Sequence, residues 1–401
     1  MRKSIIILIA AAFLAVSAMP ATAQDDGAVA ISGGAMVQTS WESINSTMNT
    51  ALKNGNTSTT DVTWGLITPG TSIAFNFKKG DISGEVVLRP FAGSNSRMYG
   101  AWNFGAGTLT IGNFNAPFRR PQSALHHLGG KAKYAGNLDM YTRDQGLMLT
   151  FPLGGGTLEF AALRQSSVAR GAPSIVTTSA GAPNATGDAD NVIPKLELSY
   201  DVKFGGFNLW VGGSYQTYSE VVTSTDKEYD IDSWGLSIYG SYGFGPVTIN
   251  GGYTVAQNSL QHGFPGTGPD PSIPLTANGA AYDSNDSIVD SDLTGWHLSA
   301  GWKISDMLTL QAGIGGNEFE QDRMTGQLVD AEDTTAFYYI NMPIFAAKGL
   351  TITPEIGIRD EKDATTATGR AASGSLPAVA PGGTIEQVKT TYYGVRWFIR
   401  F

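Results

Sequence analysis

The chain has 401 residues, including 50 glycines and no cysteine, and only 15% of its residues are charged. The lack of cysteine excludes a disulfide-stapled scaffold, and no segment after the first 23 residues is apolar enough for a membrane-spanning helix. The 26 Lys and Arg residues against 35 Asp and Glu residues give a net charge of -9, which argues against nucleic acid as a partner.

The N-terminal residues predict a secretory signal peptide. A positive start at Arg2 and Lys3 precedes an apolar run that ends in the small-x-small cleavage signal "ATA". The run is shorter than the roughly 20 residues of a spanning helix, so we expect cleavage after Ala23 rather than an anchor. The expected organisation is a signal peptide at residues 1–23 and one β domain at residues 24–401.

Sixteen stretches after the signal peptide show the period-2 alternation of β-strands. They lie at about residues 29–42, 62–78, 81–90, 97–104, 107–116, 145–152, 156–166, 194–204, 207–219, 231–244, 247–258, 291–305, 308–321, 334–346, 349–360 and 386–401.

Tight and long connections alternate between these strands. The tight turns are Lys79-Gly80, Gly105-Ala106, the stretch at Gly154, Gly205-Gly206, Gly245-Pro246, Ser305-Asp306-Met307 and Ala347-Lys348. Strict alternation predicts that all tight turns lie at one end of the fold and all long loops at the other. An aromatic residue stands near every tight turn, which predicts an interfacial girdle.

The third long connection, predicted from Pro117 to Asp144, is basic. Its titratable residues are Arg119, Arg120, His126, His127, Lys131, Lys133, Asp139, Arg143 and Asp144. Five cations against two carboxylates give a charge of +3 before the histidines are counted. The fifth to seventh long connections are acidic instead. We interpret them as solvated loops, and the alternative is that their carboxylates bridge to lipopolysaccharide phosphates through divalent cations.

The last strand is apolar on one face and ends on an aromatic residue. Its apolar face consists of Tyr393, Val395, Trp397, Ile399 and Phe401. Such a strand resembles the C-terminal strand that the outer-membrane assembly machinery recognises in bacterial porins. Together with the signal peptide and the alternating loops, it makes the whole mature chain similar to the general diffusion porins of Gram-negative outer membranes.

This resemblance implies an all-β fold, a transmembrane antiparallel β-barrel of sixteen strands in the bacterial outer membrane. It implies a homotrimer in contact with outer-membrane lipid, a third long loop folded into the lumen, and passive diffusion of small hydrophilic solutes and ions. No cofactor and no enzymatic activity are expected.

Charged positions opposite the apolar strand faces are candidates for the pore wall. They are Glu85, Arg89, Arg97, Glu197, Glu355, Arg359 and Arg396. In the porins that the chain resembles, an acidic third loop commonly faces a basic wall, whereas here the loop is basic. A ring of positive charge in a narrow wet passage favours anions, so we expect a weak anion preference.

Two other functions remain open at this level. A channel specific for sugars, phosphate or carboxylates would use inward aromatic residues such as Tyr99, Trp210, Phe337 and Tyr339. An outer-membrane barrel hydrolase would need a positioned nucleophile and base. The chain has four histidines but neither a G-x-S-x-G nor an H-E-x-x-H motif, which disfavours catalysis.

Overall fold

In the computed structural model, the described residues are 27–45, 58–66, 71–89, 94–118, 143–165, 176–177, 189–190, 193–222, 227–259, 280–283, 287–322, 331–361, 364–365, 384–385 and 389–401. Their regular structure consists of β-strands. In these ranges no helix is long and apolar enough to cross a membrane.

The described residues form strand segments whose bounds are β1 (Gly27–Asn45), β2 (Ser58–Leu66), β3 (Ser72–Lys79), β4 (Ile82–Arg89), β5 (Ser94–Asn103), β6 (Thr108–Asn115), β7 (Arg143–Leu153), β8 (Gly156–Leu163), β9 (Val176–Thr177), β10 (Ala189–Asp190), β11 (Lys195–Phe204), β12 (Phe207–Val222), β13 (Lys227–Phe244), β14 (Val247–Gln257), β15 (Ala281–Asp283), β16 (Ser287–Val289), β17 (Ser291–Lys303), β18 (Thr309–Gln321), β19 (Ala331–Asn341), β20 (Ile344–Ala347), β21 (Leu350–Glu361), β22 (Ala364–Thr365), β23 (Thr384–Ile385) and β24 (Lys389–Arg400).

These segments build a closed antiparallel barrel of 16 strands, as predicted. Segments β2 and β3 both pair with β1 and together make one barrel strand. Segments β19 and β20 likewise share β21 as their partner. Every strand of the barrel therefore has a hydrogen-bonded neighbour on each side, which satisfies backbone groups where no water is present.

Short segments inside the long connections escaped the sequence analysis. In one three-stranded sheet, β15 pairs in parallel with β9 and antiparallel with β16. This sheet joins the fourth and sixth long connections. Segments of two or three residues carry too little alternation to be recognised in a sequence.

Burial alternates along several barrel strands, as the first half of β11 illustrates. Lys195, Glu197 and Ser199 point inward and are buried, while Leu198 and Phe204 point outward and are exposed. Every barrel strand carries an exposed large apolar side chain, which suits contact with lipid, and most of the buried inward positions are polar. The two faces predicted from the period-2 pattern are therefore confirmed.

Aromatic side chains gather at the tight-turn end of the barrel. The ring centroids of Phe204 and Phe207 lie 4.8 Å apart, and those of Phe104 and Phe151 lie 6.1 Å apart. Trp302 and Phe345 expose half of their surface at the same end. Aromatic rings at one height are typical of the interface between lipid and water.

Several predicted boundaries need correction. The third long connection ends before Arg143, because Arg143 and Asp144 already pair with Asn115 and Phe114 in the β6–β7 ladder. The predicted strand 334–346 is interrupted before β20, where Pro343 lacks the N–H that a ladder needs. Two tight turns also shift by one residue, to Gly80-Asp81 and Lys348-Gly349.

The barrel closes where the first strand meets the last. β1 pairs with β24 from Gly34 opposite Arg400 to Asn45 opposite Lys389. Beyond that ladder, Gly33 and Phe401 exchange both backbone hydrogen bonds, at 3.0 and 3.1 Å. The terminal residue is therefore part of the closing ladder, and its ring lies directly over Gly33.

A single methyl group at Gly33 is expected to weaken this closure. A Cβ built there would lie 2.8 Å from both the Phe401 ring and the Ser72 carbonyl oxygen, so Gly33→Ala should lower the free energy of unfolding by about 1–3 kcal/mol. Urea unfolding of the barrel in lipid vesicles, followed by tryptophan fluorescence, measures the change.

Gly100→Ala is the matched control, because its Cβ would approach Ser83 O only to 4.0 Å. The substitution at this position of a barrel strand should leave the free energy of unfolding close to that of the unmodified chain. Equal unfolding curves for the two variants would show that the Gly33 contact does not restrict the closing ladder.

Candidate functional site

The third connection, which we define as the chain between β6 and β7, begins inside the barrel. Phe118, three residues after the end of β6, donates its backbone N–H to Glu197 Oε2 on β11 at 2.9 Å. Around the wall, β7 and β8 lie between β6 and β11. To reach Glu197, the chain must therefore cross the inner face of these two strands.

A buried cluster of charges lies where the third connection meets the wall. The Lys195 ammonium donates a hydrogen bond to the Asp144 carboxylate at the start of β7 and lies 3.2 Å from Glu197 Oε1. Both Lys195 and Glu197 are almost fully buried. One cation thus lies between two carboxylates, and each Glu197 oxygen has a different partner.

An apolar cluster lies beside these charges on the inner wall. The Phe118 ring stacks on Trp210 of β12, with centroids 6.2 Å apart and an angle of 21° between the planes. Ala256, Leu293 and Phe319 of the next strands complete the buried cluster. These side chains point into the lumen, so their burial means that the chain itself covers them.

A glycine makes room for this stack. Gly212 lies two residues beyond Trp210 on the same inward face, and a Cβ there would lie 2.4 Å from the Trp210 ring and 3.1 Å from Phe118. Any larger residue would displace the indole ring. The third connection thus packs against a surface shaped by both the charged pair of β11 and the glycine of β12.

Four arginines line another part of the inner wall, which we call the arginine sector. They are Arg89 on β4, Arg97 on β5, Arg359 on β21 and Arg396 on β24. Their strands are neighbours around the closure: β21, β24, β1, the β2 and β3 pair, β4 and β5. All four occupy the inward positions of their strands.

Two carboxylates accompany the arginine sector. Glu85 accepts a hydrogen bond from Arg97 Nη2 at 2.9 Å and contacts the Tyr99 hydroxyl. Glu355 accepts hydrogen bonds from Asn341 Nδ2 at 3.0 Å and from the Tyr392 hydroxyl at 3.2 Å. Four guanidinium groups therefore share this wall with two carboxylates.

Several residues predicted for the constriction lie outside the described residues. They are Arg119, Arg120, His126, His127, Lys131, Lys133 and Asp139. The backbone of Arg143 is described as the first residue of β7, and Asp144 beside it binds Lys195. Within the described parts of the chain, no three His, Cys, Asp or Glu side chains are grouped to hold a metal.

Around the start of the third connection, Glu197 and Trp210 are residues that the sequence predicted to face the lumen, whereas Lys195 and Phe118 were not predicted for the site. Lys195 was recognised only as one polar residue of an alternating strand, and Phe118 only as part of a long loop. Their contacts join residues 51 and 79 positions apart. The nearest signal was the sequence "KLE", which places Lys195 and Glu197 on one face.

The last strand shows the predicted outward face. Tyr393, Trp397 and Ile399 are about half exposed toward the membrane side, and Phe401 is 66% exposed. Val395 lies on the same face and is partly covered. Their value as an assembly signal stays a prediction.

Comparisons with known proteins agree with this architecture. The family model of Gram-negative porins matches residues 10–341, whereas a search of curated proteins found no match. The outer membrane channel DcaP of Acinetobacter baumannii has a similar structure, with a TM-score of 0.61 at 14% identity over 94% of this chain and 97% of that one.

Two further solved structures share the fold. OmpT of Vibrio cholerae in its trimer form gives a TM-score of 0.54 at 15% identity, over 93% of this chain and 100% of that one. The anion-selective porin from Comamonas acidovorans gives a TM-score of 0.55 at 11% identity, over 94% of this chain and 100% of that one. With its closed barrel, polar interior and family match, the chain belongs to the Gram-negative porins and forms an outer-membrane channel for passive diffusion.

Proposed function

We propose that this channel weakly prefers anions among the small hydrophilic solutes and ions that diffuse through its water-filled interior. The observation that carries the proposal is the arginine sector, where four guanidinium groups face the lumen with two carboxylates beside them. Positive charge along a narrow wet passage attracts anions and repels cations.

The carboxylates of Asp144 and Glu197, across the barrel, oppose this field only weakly. Asp144 and Glu197 share the buried Lys195 and are themselves buried. A carboxylate that is paired and shielded from the lumen contributes little to the potential that a passing ion experiences. The arginine sector therefore outweighs these two carboxylates.

Residues 119–142 of the third connection add to the positive charge by composition. They contain Arg119, Arg120, Lys131 and Lys133 against Asp139. We propose that this segment, with His126 and His127, narrows the passage. Another porin of the same fold, from Comamonas acidovorans, is described as anion-selective, which is consistent with such a preference.

Removing two arginines should reduce the preference. Replacing Arg89 and Arg359 together by glutamine should lower the chloride-to-potassium permeability ratio by about threefold. A charge about 10 Å from an ion contributes about 0.4 kcal/mol in unscreened water and about 0.15 kcal/mol after salt screening, and each of the two charges acts with opposite sign on the two ions. The reversal potential of the purified channel in a planar bilayer under a KCl gradient measures this ratio.

Lys303→Gln provides the control. Lys303 lies at a tight turn, exposed and paired with Asp306 at 2.7 Å, so the loss of its charge should leave the reversal potential unchanged. A cation-side reversal of the unmodified channel, or no shift in the double variant, would reject the anion preference while leaving the channel itself intact.

A solute-specific channel has less support from the described residues. Trp210 lies under Phe118, and Phe337 and Tyr339 are buried at 4% and 6% exposure. Rings that are covered in this way cannot serve as a stacking path for sugars. We therefore propose general diffusion, without block of the ionic current by sugars, phosphate or carboxylates.

We propose further that the protein has no catalytic activity. Among the described residues, His297 is the one histidine. It is buried, and its ring stacks on that of Tyr239 with the ring centroids 6.0 Å apart. A tyrosine ring does not orient an imidazole as the base of a nucleophile.

We also propose that residues 1–23 are removed on export. Lipid, lipopolysaccharide and the outer-membrane assembly machinery are the proposed partners of the protein.

The proposed homotrimer has a direct test. One solved porin of this fold, OmpT of Vibrio cholerae, has a trimer form, and symmetric rings are a common form of homo-oligomers. The native mass in detergent, corrected for bound detergent by light scattering, should be about three times that of one chain. A mass of one chain would reject the trimer without affecting the channel.

A further inference from the structure

We propose that a groove on the lipid-facing wall of β14, β17, β18, β19 and β21 binds one acyl chain of a phospholipid from the periplasmic leaflet of the membrane. We call it the lipid groove. The proposal rests on the outer-membrane channel and deepens the proposed partnership with lipid, because it names the class of lipid and the place where it binds. It is independent of the proposed anion preference.

Two alanines form the floor of the lipid groove. Ala300 of β17 and Ala312 of β18 lie directly opposite each other, and both are exposed on the outward face. On either side the ladder places a larger residue, since Ile249 of β14 pairs with Ala300 and Ile340 of β19 pairs with Ala312. Two small side chains between two large ones leave a depression in the wall, and the whole groove has a volume of about 640 Å³.

The sides of the lipid groove are apolar. Leu298 and Ile314, next to the floor, and Ile356, beyond Ile340, expose between 40% and 52% of their surface. Water in such a groove would find few hydrogen-bond partners, and an empty groove would forfeit the dispersion contacts of its walls. In a bilayer, the flexible tails of the lipids are the molecules that can fill it.

The floor of the groove lies close to the tight-turn end of the barrel. Ala300 lies three residues before Lys303 at the tight turn and eight residues after Asp292 near the other end of β17, which is about 10 Å and about 27 Å along the strand. Half of a hydrocarbon core is about 15 Å thick, so the floor lies in the leaflet on the tight-turn side. Short turns face the periplasm in outer-membrane barrels, which assigns the groove to the periplasmic leaflet.

The charges at the two ends of the barrel favour the same leaflet. Within two residues of a tight turn or of the C-terminus, the described cations are Lys78, Lys79, Lys203, Lys303, Lys348 and Arg400, and the described carboxylates are those of Asp81, Asp306 and the terminal Phe401. At the far ends of β17 and β18, the exposed outward residues Asp292, Glu318 and Glu320 are all acidic. A lipid phosphate is attracted to the basic end and repelled from the acidic one, so the phospholipid head lies at the tight turns.

The shape of the groove favours a flexible chain over a second copy of the protein. The outer wall of a closed barrel is convex, so two barrels touch along their ridges and leave a concave groove unfilled. Stable protein interfaces bury about 800 Å² on each partner with close complementarity. An acyl chain bends to follow the groove, and its many small dispersion contacts add up.

Filling the floor should release the lipid. The unmodified channel should retain one phosphatidylglycerol molecule per chain. In Ala312→Leu, the number retained should fall about fivefold, because the larger side chain takes the place of acyl-chain contacts. Native mass spectrometry counts the bound lipid after the channel has been saturated with phosphatidylglycerol and exchanged into fresh detergent.

Ala162→Leu is the matched control. Ala162 of β8 also points outward, where it pairs with Leu147 and Leu196, and it lies outside the lining of the groove. The same enlargement there should leave lipid retention unchanged. Gel mobility before and after heating shows whether each variant forms the folded barrel, and Ala300→Leu takes the place of Ala312→Leu if that variant does not fold.

Several results would overturn the lipid groove. Equal retention in the unmodified channel and a folded Ala312→Leu would do so, as would an equal loss in Ala162→Leu. Release of co-purified lipopolysaccharide instead of phosphatidylglycerol would assign the groove to a lipid of the opposite leaflet. A smaller protein mass of Ala312→Leu by light scattering, with its lipid retained, would make the groove a contact between copies of the chain.

These outcomes remain distinct from those of the proposed function. A cation-side reversal of the unmodified channel combined with lipid loss in Ala312→Leu would reject the anion preference and support the lipid groove. An anion-side reversal with unchanged lipid retention would do the opposite.

Discussion

The structure depends on the closure of one hydrogen-bonded sheet in a solvent that forms no hydrogen bonds. An open edge in lipid would leave a row of backbone groups unsatisfied, so β1 and β24 must pair along their common length. The ladder from Gly34 to Asn45, extended by the Gly33–Phe401 exchange, meets this requirement. The terminal phenylalanine is therefore placed by the same constraint that defines the barrel.

Closure also divides every strand into two environments. Side chains that point outward meet lipid and are apolar, whereas inward side chains meet water or the third connection and are polar. Charges consequently gather inside, with the arginine sector next to the closure and the Lys195 cluster on the far wall. The two groups of charges therefore lie on opposite parts of the inner wall.

The apolar cluster around Phe118 is an exception to the polar interior of the barrel. Trp210, Leu293 and Phe319 point into the lumen, where wet surroundings would normally disfavour them, and Phe118 belongs to the same buried cluster. The apolar patch and the adjacent buried charges are thus parts of one contact surface. Its specificity lies in the combination of a backbone hydrogen bond, an ion pair and an aromatic stack.

Sequence by itself determined the parts of this protein that depend on local periodicity. The alternation in "KLELSYDVKF" separates Lys195 and Glu197 from the lipid face, and the tight-turn glycines and terminal Phe401 indicate the strand order and the closure. The boundaries that were wrong, at Pro343 and at Arg143, lie where a missing N–H or a ladder partner overrides the pattern.

Only the tertiary structure decided which inward residues meet. Phe118 reaches Glu197 across 79 positions of sequence, and Asp144 reaches Lys195 across 51, distances over which periodicity carries no information. Whether a lumenal charge is paired, covered or open depends on neighbouring strands and on the path of the third connection. Those contacts arise from closing the sheet, so the sequence shows the face of each residue but not its partner.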